Sequence, residues 1–150
     1  MQPIHPVVRI CACALALTPV SSAIATTFAF SPNTNSGNPA TYKWLVGIDG
    51  AQATNNPPLT VVTGQTYTLA VKTSTSHPFW IDQVAGIGSL AHSYPKGDAL
   101  SDNGVKTITT ITLNLPADAP DTLYYACGQH ISMNGTISVV HDLVFRASFD

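Results

Sequence analysis

The chain has 150 residues, 45% of them hydrophobic and 9% charged, with a net charge of −2 at pH 7. That balance excludes the polar, highly charged composition of a disordered chain and suits one globular domain with one core. It also carries no basic patch of the kind that binds nucleic acid or an anionic lipid surface.

Residues 1–25 read as a secretory signal: Arg9 lies in a short leading region, Ile10 to Val20 form the apolar stretch, and Ala23-Ile24-Ala25 offers a small-residue cleavage site. The apolar stretch is shorter than the roughly 20 residues of a membrane-spanning helix and Pro19 interrupts its end, so no span is expected once the signal is cleaved. The mature chain then starts near Thr26. Cys11 and Cys13 leave with the signal, and Cys127 remains as the single cysteine, beside five basic side chains, eight aspartates and no glutamate. In an oxidising compartment an odd cysteine marks an intermolecular bridge or a thiol with chemistry of its own.

Residues 26–40 are expected to be a flexible lead-in, because Ser31 to Ala40 consists almost wholly of Asn, Ser, Pro, Thr and Gly. The ordered domain is placed at residues 41–141, followed by a tail at 142–150. Within the domain, Tyr42, Trp44, Val46 and Ile48 share one strand face, and Tyr67, Leu69 and Val71 share another. From Val105 to Leu115 the same period-two pattern recurs, with Ile108 out of step. Turn signals separate these runs at Thr63-Gly64-Gln65, Asp102-Asn103-Gly104, Pro116 to Pro120 and Asn134-Gly135. No stretch sustains a helical period. Short strands with regular punctuation predict an all-β, antiparallel Greek-key sandwich.

Leu123, Tyr125 and Cys127 have the same strand parity, so the thiol should end a strand facing the interior. A Gly128-Gln129 turn brings His130 back toward it, and Ser132-Met133 leads to a last strand at Thr136 to Val140. Asn134-Gly135-Thr136 matches an N-glycosylation acceptor but reads here as a turn.

The C-x-x-H-x-x-M spacing of Cys127, His130 and Met133, with His77 standing 50 residues upstream of Cys127, resembles the type 1 blue-copper proteins, the cupredoxins. The two-residue gaps are most similar to the short loop of amicyanins; plastocyanins have a longer gap before the methionine. The resemblance covers roughly residues 59–140 and implies a cupredoxin-like sandwich holding one type 1 copper ion through His77, Cys127, His130 and Met133. Two imidazoles and a thiolate in a plane with a weak thioether above it suit both Cu(I) and Cu(II). His92 and His141 read as bystanders, and Phe79, Trp80, Tyr124 and Tyr125 as ordinary sandwich core. One departure from the family's pattern is Pro78, which has no N–H to donate to the cysteine sulfur where family members often carry Asn or Ser.

By this resemblance the protein is an exported one-electron carrier, monomeric, serving an unidentified redox partner protein, and not an enzyme. A copper-trafficking module and a copper-free cupredoxin-fold interaction domain are the alternatives. The ending His141 to Asp150 is similar to short aromatic tails of some exported gammaproteobacterial proteins, consistent with a bacterial, periplasmic or secreted protein.

Overall fold

The structure, a computed structural model, describes residues 25–142. All of the expected signal segment except Ala25, with its Cys11 and Cys13, and the tail beyond Asp142 lie outside the described residues. Among the described residues no helix is long and apolar enough to cross a membrane.

Nine strands follow in chain order: β1 (Thr27–Asn33), β2 (Lys43–Ile48), β3 (Thr54–Asn55), β4 (Leu59–Val62), β5 (Tyr67–Val71), β6 (Phe79–Asp82), β7 (Thr109–Leu113), β8 (Thr122–Cys127) and β9 (Asn134–Val140). A single 3₁₀ turn, Pro39–Thr41, begins at Asn38, whose side chain accepts from the Ala40 N–H. The strands form two facing sheets in the orders β3-β2-β1-β5-β7 and β4-β9-β8-β6. This is the expected all-β sandwich. Most pairings are antiparallel, while β1 with β5 and β4 with β9, strands far from consecutive in the chain and joined by no hairpin, run parallel.

Residues 27–33, expected to be a flexible lead-in, instead form β1 at the centre of the first sheet. Phe28 and Phe30 alternate with Ala29 and point into the core, both almost fully buried. The Asn- and Pro-rich residues that follow obscured this short alternation. Phe30 then becomes a hub: its ring lies 4.7 Å from Phe79, 5.2 Å from Tyr125 and 6.5 Å from Trp44, and Trp44 meets Phe79 edge-on at 5.3 Å. Tilted and edge-on contacts of this kind add about 0.5–1.5 kcal/mol per pair beyond the area they bury. Phe79 is in register with Cys127 across β6 and β8, so this aromatic cluster forms the floor beneath the thiol.

The run from Val105 to Leu115 is not one strand. Val105 exchanges both backbone hydrogen bonds with Phe79 in the second sheet, whereas β7, from Thr109, pairs with β5 in the first. Ile108 sits at the crossing between sheets and is 75% exposed, which explains why it breaks the parity. The stretch from 83 to 105 covers the edge of β6. Its anchor is Asn103, whose Oδ1 accepts from Ile81 N–H while its amide donates to the Ile81 and Tyr94 carbonyls. Edge strands need such cover, or their free N–H and C=O groups invite pairing with another chain.

Asn134-Gly135, expected to be a turn, lies inside β9 opposite Ala126 and Tyr125. Glycine is required there for space: a Cβ on Gly135 would sit 2.2 Å from the Tyr125 hydroxyl oxygen, which donates to the Pro57 carbonyl at 2.7 Å. Gly135→Ala should therefore push the Tyr125 ring from its seat and lower stability by about 1–3 kcal/mol, the range for overpacking a dense core. Urea unfolding followed by tyrosine and tryptophan fluorescence measures it; an unchanged midpoint would mean that the ring accommodates the methyl group.

Candidate metal centre

Cys127 closes β8 on the inward face of the second sheet and is fully buried. Beyond it the chain turns back on itself through three backbone bonds. The Met133 N–H donates to the His130 carbonyl at 3.0 Å, the Cys127 N–H to the Met133 carbonyl at 2.9 Å, and the Gly128 N–H to the Pro78 carbonyl at 2.8 Å. The last of these ties the loop after β8 to the loop that carries His77, between β5 and β6. A side-chain bond repeats the tie, since the Gln129 amide donates to the Thr75 carbonyl at 3.0 Å.

The two loops bring His77, Cys127 and His130 together, with one ligand-capable atom from each lying within 4.8 Å of the others. Cys127 Sγ is 3.5 Å from Nδ1 of His130, and the imidazole rings of His77 and His130 have centroids 4.8 Å apart. Among the described residues this is the one group of three or more His, Cys or acidic side chains with metal-holding geometry. Met133, also fully buried, is bonded through its backbone to both Cys127 and His130. His92 and His141 stand elsewhere: His92 Nδ1 is 3.5 Å from the Ser89 hydroxyl, and His141 contacts the Ala117 carbonyl and the Asp121 carboxylate.

The electrostatics of the pocket differ between its members. Burial pushes the His77 imidazole below its ordinary pKa, and the neighbouring His130 pushes it further the same way, so His77 is held neutral, the form that binds metals. Burial pushes the Cys127 thiol up, against a smaller opposing effect of the Gln129 and His130 backbone N–H groups. Its proton is therefore retained until a cation displaces it. Pro78 indeed gives no N–H, but the sulfur does have a donor, because the Gln129 N–H points at it from 3.4 Å.

Whether a metal suits this pocket is decided by His77. Its Nδ1 is buried with no hydrogen-bond partner, an arrangement that ordinarily costs about 1–3 kcal/mol. His77 offers one ring nitrogen to the three-residue cluster, beside a thiol and a second imidazole. A soft thiolate with two imidazoles is a donor set for copper or zinc, so the residues present fit a bound metal.

The sequence reading missed the support for this loop. Asn56, at a positive φ of 42°, accepts from the Trp44 N–H at 2.7 Å and donates to the Ser132 carbonyl at 2.7 Å. The same carbonyl accepts from Lys43 Nζ at 3.3 Å, and the Ser132 hydroxyl donates to the Tyr42 carbonyl at 2.7 Å. The sequence hint was the Asn55-Asn56-Pro57 run, since Asn tolerates the left-handed region better than other non-glycine residues. Asn56→Ala removes both side-chain bonds and leaves alanine at a strained angle, so it should lower stability by about 2 kcal/mol. Urea unfolding checks this; a change below about 0.5 kcal/mol, the ordinary range for surface substitutions, would show that the loop holds without Asn56.

No family model matches the chain, and no curated protein matches it. Among solved structures it is similar to the copper protein rusticyanin, with 20% identity, 77% of this chain and 76% of that one covered, and a TM-score of 0.46. Rusticyanin from Thiobacillus ferrooxidans gives 20% identity, the same shares and a TM-score of 0.43. A variant of the McoA multicopper oxidase from Aquifex aeolicus gives 14% identity, 82% of this chain, 27% of that one and a TM-score of 0.36. The molecule is a sandwich of two facing sheets in which a buried cysteine ending β8 is met by histidines from two loops.

Proposed function

We propose that the protein holds one copper ion through His77, Cys127, His130 and Met133 and carries single electrons as an exported, periplasmic or secreted protein. The observation that carries this reading is the cluster of His77, Cys127 and His130, in which His77 also has a buried Nδ1 without a hydrogen-bond partner. The two imidazoles and the thiolate would form the plane, and Met133, backbone-bonded to both loop ligands, would be the weak fourth donor. Copper bound there supplies a one-electron couple, Cu(I)/Cu(II).

What the chain itself contributes is a fixed frame. Cys127 gives up its proton on loading, and the Gln129 N–H then supports the negative sulfur. The ties from Gly128 to Pro78 and from Gln129 to Thr75 keep the two loops in one relation, so the ligands need not move when charge changes. His130 is half-buried and its neighbour Ile131 is 62% exposed, which leaves an edge of the loop where a redox partner can approach. A carrier needs no substrate pocket, and this reading assigns none.

Titration of the metal-free protein with Cu(II) should give one copper per chain and an intense thiolate-to-copper absorption band in the visible. A colourless complex, or no uptake, would contradict the reading. Cys127→Ser should abolish the band, while His92→Ala and His141→Ala should retain it, because both histidines lie outside the cluster. Loss of the band in His92→Ala would reassign a ligand.

A further inference from the structure

Tyr42 precedes β2, outside the loops that carry the ligands, yet its ring contacts two of them. The ring centroid is 5.2 Å from that of His130 and 5.9 Å from that of His77, tilted by 55° and 60°. These are the separations of favourable aromatic packing, and the two imidazoles are themselves only 4.8 Å apart. Tyr42 is partly buried against the core, and its phenol has no role in the hydrogen bonds around the site; its backbone does, since its carbonyl accepts from the Ser132 hydroxyl of the ligand loop at 2.7 Å. Lys43 and Asn56 bind the carbonyl of the same serine. The chain thus fastens Tyr42 to the ligand loop by its backbone and lays its ring across both histidines.

A side chain in that place has a definite physical effect. An imidazole bound to a metal by one nitrogen can still rotate about that bond and about its own side-chain torsions, and a packed ring removes this freedom. The same ring displaces water from the histidine side of the pocket. Lower local polarity disfavours the more highly charged Cu(II) state and so raises the reduction potential. We propose that Tyr42 is a positioning residue of the metal centre, whose ring fixes the His77 and His130 imidazoles and keeps solvent from them. This rests on the reading of the cluster as a copper site, and it concerns the ring, not the hydroxyl.

The test compares Tyr42→Phe and Tyr42→Leu in the mature chain, with far-UV circular dichroism and urea unfolding to establish that each variant is folded. After loading with Cu(II), Tyr42→Phe should keep the wild-type visible spectrum and reduction potential. Tyr42→Leu should show a lowered potential and, once the bound copper is reduced with ascorbate, should hold Cu(I) about tenfold or more weakly against a bicinchoninate competitor, the scale on which loss of a ligand's supporting contact weakens a metal site. A Tyr42→Leu protein matching wild type in both readouts would overturn the proposal, as would a Tyr42→Phe protein that behaves like Tyr42→Leu. A second measurement needs no copper. In the metal-free protein, NMR of the imidazole C–H groups should show similar ring-current displacement of His77 and His130 signals in wild type and Tyr42→Phe, and a smaller displacement in Tyr42→Leu, where only the mutual effect of the two imidazoles is left. Signals unaffected by the leucine change would overturn the proposal even if copper binds. Failure of wild type to take up copper would instead refute the functional reading, and the NMR comparison would still decide the ring contact.

Discussion

The candidate site depends on how the chain turns after Cys127. Three backbone bonds, from Met133 to His130, from Cys127 to Met133 and from Gly128 to Pro78, bend the residues between β8 and β9 into one tight loop and lock it against the loop bearing His77. Without the first two, His130 and Met133 would not return to the thiol. The third, with the Gln129 bond to the Thr75 carbonyl, holds the His77 loop against it. Because the donors of all three backbone bonds are on the main chain, the arrangement survives changes of loop side chain as long as the spacing is kept.

The frame around this turn comes from both sheets. Phe79, in register with Cys127, supplies the floor together with Phe30, Tyr125 and Trp44. Asn56, Lys43 and the Tyr42 carbonyl hold Ser132 from the other side. Trp80, on the opposite face of β6, is enclosed by Gly88, Gly104 and Gly128, each of which would place a Cβ within 2.9 Å of the indole. Dense packing of this kind transmits strain and resists displacement, which is what a site with unchanging ligand positions requires.

The candidate cluster was partly legible because it is local: Cys127 and His130 stand three positions apart, and strand parity alone turns Cys127 inward. The sandwich was legible from alternation in β2, β5 and β8, whose buried positions match the expected faces, although Ile48 at the end of β2 is 39% exposed. What the sequence hid depends on pairing between distant segments. β1 has only Phe28 and Phe30 to announce it, and its place between β2 and β5 is decided by their complementary edges. Val105 and Thr109 look like one strand yet belong to different sheets, and the out-of-step Ile108 is the one local mark of the crossing. Gly135 reads as a turn residue, whereas its role is to make room for a tyrosine ten residues earlier. Asn56 and Tyr42 act on residues more than seventy and thirty positions away, beyond any motif.

The central claim is that His77, Cys127 and His130 jointly hold copper. X-ray absorption at the copper edge of the loaded protein reads that set of donors directly. The account predicts one short bond to sulfur and two to imidazole nitrogen, with the sulfur contribution gone in Cys127→Ser. A shell of nitrogen and oxygen donors without sulfur would contradict it.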